Sequence, residues 1–381
     1  MSGHRMLCWA LLTLVGTMVA ACAGSDDSGG RHTGPSESPA TATRPSQRAA
    51  ELLLATQAAS DGLVLVDPSR RSGSAVVDRV RVGAAPWDVE VTHDGDTAYV
   101  STAEGLAVVD VAARRRTALV PYRHQPASVE HGEYRAGGMG LAVAPDGRRV
   151  YVAVHRGSGD DVLEVFDTAA RRFVDEVPVG LRAFDVLVSA DGTQVYTVDH
   201  DSFSVHVVDT VTLRARRIPV APFGTAGGLG SWEKPHYAVI APDGDLLLPY
   251  QGTVLVRLDP VSGTTTRRSM TANSHQHGVS LTQDGRLLVV GTGSFGNATG
   301  GPNLTVRDVA TGAEHLVALD RPHETVVPWT DPRTGHLVAV LSGGYTRPGG
   351  FDGITLVDLS TDAVRQLRVP GLPQTLVRLP G

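Results

Sequence analysis

Three histidines, His236, His277 and His323, stand at matching points of a repeating chain, and the chemistry of the sequence concentrates there. Five Asp-Gly dipeptides punctuate the repeat: Asp94-Gly95, Asp146-Gly147, Asp191-Gly192, Asp243-Gly244 and Asp284-Gly285, with a looser sixth turn from Asp331 to Gly335. Eight residues before each of these glycines stand Trp87, Met139, Phe184, His236 and His277. A local match of Arg-Pro-His-Glu (321–324) to Lys-Pro-His-Tyr (234–237) adds His323, and Gln374 takes the corresponding place near the C-terminus. Neutral imidazoles converging from three rigid strands supply three donors of a tetrahedral site, which suits zinc, or copper with less preference. One histidine in such a place is more often bonded to a carbonyl or water, but three at equivalent places favour a site.

Other polar residues are expected on the same face. His155 and His200 end the strands that follow two of the turns. Two long links join repeats: 121–138, which carries His124, Glu130, His131 and Glu133, and the glycine-rich 221–236. Links of this length without structure of their own are usually functional. A fourth donor is expected from His131 or Glu133, or from Asp88 or Asp185, one position beyond the repeated station. A bound zinc with an open position, and Glu133 or Glu324 as general base, would make a hydrolase. Copper redox chemistry is a variant of that reading, and a non-catalytic surface scaffold with solvated histidines is the third. His93, His206, His315 and His336 have no such partners and read as structural. So do Asp110, Asp167, Asp209, Asp259, Asp308 and Asp358, because an aspartate that closes the same strand in every repeat is a turn cap.

The elements that must hold these residues are strands. Asp-Gly between alternating apolar runs is a strong hairpin signal, since both residues accept positive φ. Runs such as TAYVST, RVYVAV and QVYTVD follow the turns, and LAVVD, VLEVFD, SVHVVD, VLVRLD, LTVRD and ITLVD come next, all with period 2. No stretch of the mature body reads as an amphipathic helix. Four strands per repeat of roughly 40–50 residues mean an all-β propeller. Residues 51–83 hold three strands, and PQTLVRLP at the C-terminus reads as the missing innermost one. The expected fold is therefore a seven-bladed β-propeller over residues 50–381, closed by its last strand, with eight blades as the alternative. The repeat resembles the YVTN-type propeller family, with its P-x-x-hydrophobic…DG…YV…hydrophobic-D signature.

The ends and the composition place this domain. Arg5 and the apolar run Leu7–Ala20 read as an export signal over residues 1–21. Val19-Ala20-Ala21-Cys22 matches a bacterial lipobox, which makes Cys22 the lipid anchor. Residues 22–49, rich in Ser, Thr, Gly and Pro, read as a disordered tether. The expected location is the outer face of the cell membrane, as a monomer. The chain has 2 cysteines, Cys8 and Cys22, so the body has neither disulfide nor thiolate chemistry. A net charge of −6 without a basic patch argues against nucleic acid.

A narrower resemblance lies in EHGEY (130–134), KPHYAV (234–239), HQHGVSL (275–281), GPNLTVRD (301–308) and RPHET (321–325). Their order and blade positions are similar to those of the periplasmic zinc metallochaperones, propellers that pass zinc to the binding protein of an ABC transporter. The resemblance implies that His131, His236, His277 and His323 bind zinc, and that the partner is such a zinc-binding protein. The family's His-rich N-terminal stretch is reduced here to His32, and its His-His pair to Gln276-His277.

Overall fold

The computed structural model describes residues 51–220, 234–250, 254–271, 276–292, 300–344 and 350–380, and for Gln276 and His277 the backbone alone. The expected export signal, Cys22, the expected tether and most of the link 221–236 lie outside the described residues. Among the described residues there are 28 strands in seven four-stranded antiparallel sheets, and no helix. Six sheets are contiguous in sequence. The seventh joins Pro373–Arg378 to Leu53–Gln57, so the C-terminal strand is the innermost strand of blade 1. The ring is thus closed by pairing the two ends of the domain, which leaves no open sheet between blades 7 and 1.

The local chemistry is the same in every blade. The turn glycines Gly95, Gly147, Gly192, Gly244 and Gly285 have φ between 69° and 93°, the left-handed region that favours glycine. The recurring aspartates cap turns as their recurrence suggested. Asp110 accepts the Ala113 amide, Asp167 that of Ala170, Asp209 that of Thr212 and Asp308 that of Thr311. Each blade is hydrophobic on both faces, so core forms between blades. One apolar cluster lies between blades 7 and 1, where Leu53, Val64, Trp329 and Ile354 meet. Another joins Leu54 and Leu63 to Val89 and Val100, between blades 1 and 2. Similar clusters fill the other junctions around the ring. Trp87, Met139 and Phe184 form a separate small cluster at one end of the axis.

Candidate functional site

The repeated station is held by a hydrogen-bond pattern that passes from blade to blade. In blade 2 the Trp87 amide donates to the Ser101 carbonyl, the Ser101 amide to the Asp88 carbonyl, and the Asp88 amide to Ser101 Oγ. A hydroxyl from the preceding blade then fixes the station carbonyl. Thr56 Oγ1 donates to Trp87 O at 2.9 Å, Ser101 Oγ to Met139 O, and Ser342 Oγ to Gln374 O at 2.7 Å. The station side chains converge accordingly. Trp87 and Phe184, two blades apart, stack with ring centroids 6.3 Å apart, and Phe184 lies 4.6 Å from His236.

His236 is the centre of the polar half of this mouth. It is 1% exposed, and its Nε2 lies 2.9 Å from Glu133 Oε1. Glu133 comes from the link between blades 2 and 3, which is pinned at both ends. At its start the amides of Arg123 and His124 donate to the buried carboxylate of Glu164, at 2.9 and 2.8 Å. At its end the Arg135 guanidinium donates to the carbonyls of Ala136 and Gly138. The His200 ring stands edge-on to His236 at 5.3 Å, and its Nδ1 meets Asp201 Oδ1 at 2.8 Å. Lys234 Nζ reaches the same carboxylate oxygen at 2.8 Å. Burial pushes His200 down to about 4, so the imidazole is neutral near pH 7 and Nδ1–H is the donor. Burial alone would raise Asp201, but His200 and Lys234 outweigh it and hold this carboxyl well below its usual range. A neutral imidazole anchored through Nδ1 presents Nε2 in the orientation that metal-binding histidines use.

Beyond His236 the channel is acidic. The Tyr237 ring packs on His236 at 4.6 Å, and its phenol is pushed well above its usual value by burial, with Glu324, Asp88, Asp185 and Glu133 adding to the shift. One hydroxyl therefore senses carboxylates from blades 2, 4 and 7 and from the link. Burial pushes Asp88 up to about 6 and Asp185 up to about 8. These two groups keep partial solvent contact along the channel although protein surrounds them. Each also staples the next blade. Asp88 Oδ2 accepts the Leu141 amide and Asp185 Oδ2 the Ala238 amide, both at 2.9 Å.

The histidine expected on blade 7 is not at the station. Glu324 repeats the bonds of Trp87: its amide donates to Ser342 O, Ser342 N donates to Thr325 O, and Thr325 N donates to Ser342 Oγ. Glu324 is thus the station residue, 1% exposed, with Gln374 Nε2 3.4 Å from its Oε2. His323, one residue earlier, points the other way. Its Nε2 meets Thr355 Oγ1 at 2.7 Å on the third strand of its own blade, and its ring packs edge-on against Phe351 at 5.4 Å. The correction comes from the longer turn Asp331–Gly335, which removes the glycine from which the other stations are counted.

The remaining candidates divide plainly. His131 is exposed, and the residue of its link that reaches His236 is Glu133. His155 has both nitrogens engaged, Nδ1 by Asp161 at 2.6 Å and Nε2 by Arg182. His124 Nε2 lies 3.1 Å from Glu176, to one side of the mouth. The backbone of His277 lies in the inner strand Gln276–Leu281, within the irregular pairing between Gln276 and Val279; its side chain lies outside the described residues. Among the described residues no three His, Cys, Asp or Glu side chains form a ready metal-binding set. The sequence offers Glu133 and Glu324 as bases or extra donors. The contact of Glu133 with His236 has no periodic signal because Glu133 sits in an irregular link, and the place of Glu324 at the station is hidden by an offset match.

No protein-family model matches the chain, and no curated protein does. Among solved structures it is similar to the crystal structure of a functionally unknown protein from Desulfotomaculum acetoxidans DSM 771. The likeness covers 86% of this chain and 98% of that one, with a TM-score of 0.61 and 10% identity, and at that identity it is a likeness of fold.

Proposed function

We propose that this protein is an exported, lipid-anchored zinc carrier that binds the ion at the channel mouth and hands it to a zinc-binding partner of an ABC transporter. The donors in this reading are His236, His277 and Glu133, with Glu324 and His200 beside them. The observation that carries it is the buried pair of His236 Nε2 and Glu133 Oε1 at 2.9 Å. Zinc bonds both atom types at about 2.0–2.2 Å, so a tetrahedral ion between them would separate N and O by roughly 3.3 Å. Glu133 has to withdraw by less than an ångström to admit the ion, and it rides on a link, whereas His236 is fixed at the blade station. Glu324 holds the blade 7 station by its backbone bonds, His236 that of blade 5 because the Ala238 amide bonds Asp185 as the Leu141 amide bonds Asp88, and the turn count gives His277 as their counterpart on blade 6. Carboxylate donors favour transfer over storage, because a carboxylate on a link exchanges more readily than an imidazole on a strand.

The test is calorimetric titration of the metal-free protein with zinc, with metal analysis alongside. About one equivalent is expected, bound in the wild type and lost in His236→Ala with His277→Ala. Failure of the wild type to bind zinc, or undiminished binding by that double variant, refutes the reading.

A further inference from the structure

Beside the mouth, under the link between blades 2 and 3, lies a cavity of about 490 Å³, lined among others by His124, Glu130, Tyr134, His155, Arg156 and Arg182. We propose that it is an oxyanion site, in which the guanidinium groups of Arg156 and Arg182 take the two oxygens of a small carboxylate or phosphate. Its volume falls in the range of small-molecule sites, roughly 300–1,000 Å³. The planar fork of arginine matches carboxylate and phosphate oxygens.

Arg182 is built into place. It donates to the Tyr134 carbonyl at 3.0 Å, lies 4.9 Å from the Tyr134 ring, and meets His155 Nε2. His155 is 4% exposed, and its Nδ1 is held at 2.6 Å by Asp161, which is 1% exposed and also accepts the Ala183 amide. With Nδ1–H donating to Asp161, Nε2 accepts from the guanidinium, so the histidine acts as a prop for the cation. The nearest carboxylate, Asp201 at 3.7 Å, is shared with Lys234. Asp201 is thus divided between Arg182 and Lys234. Arg156 is exposed and lines the cavity, with Nε tied to the Asp160 carbonyl at 2.7 Å. Glu130 is the acidic member of the lining and opposes an anion. The lining therefore carries a net charge of about +1 from two arginines and one glutamate.

The experiment titrates the full, metal-free protein with inorganic phosphate and, separately, with citrate, followed by calorimetry against chloride. Binding of either probe is expected: phosphate alone identifies a phosphate source and citrate alone a carboxylate one. Arg156→Gln, an exposed change that leaves the fold intact, should weaken binding about tenfold, as should Arg182→Gln. Glu130→Gln should strengthen it severalfold by removing a like charge. No binding of either anion by the wild type, binding indifferent to Arg156→Gln, or weaker binding in Glu130→Gln overturns the proposal.

Discussion

At the residue scale, two histidines in nearly identical tripeptides do opposite things. His236 follows Lys-Pro and His323 follows Arg-Pro, yet one faces the axis and the other its own sheet. The difference is legible only in backbone hydrogen bonds, because a one-residue offset in a strand turns a side chain to the other face. The two substitutions should therefore separate. His323→Ala should leave zinc affinity within about twofold of wild type while destabilising the fold by roughly 1–3 kcal/mol, through a cavity and an orphaned Thr355 hydroxyl. His236→Ala should reverse the ranking, with a large loss of zinc. Urea unfolding and zinc titration of the same preparations read both effects. A zinc defect in His323→Ala would restore the histidine to the site and undo the assignment of Glu324 to the ring.

At the element scale, most of the fold was readable because each blade solves the same problems with the same residues. Asp-Gly closes one hairpin, a strand-ending Asp caps the next, and period-2 strands do the rest. What could not be read is how blades meet at the axis, since those contacts join residues as far apart as Thr56 and Trp87, Asp88 and Leu141, or Glu133 and His236. Two blades meet through glycine. A Cβ on Gly140 would lie 2.6 Å from the Phe184 carbonyl oxygen, and one on Gly278 would lie 2.3 Å from Thr325 Cα. Both neighbours are backbone of the next blade and cannot step aside. Gly278→Ala should therefore cost about 2–3 kcal/mol by forcing blades 6 and 7 apart. Gly301→Ala, where a Cβ meets nothing within 4 Å, should stay within about 0.5 kcal/mol of wild type. Equal midpoints in urea for the two variants would show that the blade junction yields more easily than its geometry says.

At the scale of the whole molecule, closure brings seven inner strands around one axis, and this sets both integrity and pH response. The last strand gives the Thr325 and Ser342 hydroxyls their acceptor, Gln374 O, and pairs with Leu53–Gln57. A chain ending at Gly371 should lose the soluble monomer peak in gel filtration, because blades 7 and 1 would each present an unpaired face. The same convergence crowds carboxylates. Burial, then Asp88 and further off Asp185, push Glu90 from 4.5 up to about 8, and burial pushes Asp185 to about 8 as well. Between about pH 4.5 and 8 the folded protein therefore holds protons that the unfolded chain has released, and stability falls as pH rises through that window. His200 and His323 act oppositely. Burial lowers both to about 4 from 6.5, so below pH 6.5 the unfolded chain binds protons that the folded one refuses, and stability rises up to that pH. Above pH 6.5 the histidine contribution is complete and the carboxylates alone remain. Tm should then decline from about pH 6.5 to 8. Glu90→Gln cannot ionise and should flatten the decline, so that the variant gains on wild type as pH rises. Parallel melting curves for the two proteins across that range would mean that the channel acids ionise freely and that the axis is far wetter than the packing of its inner strands implies.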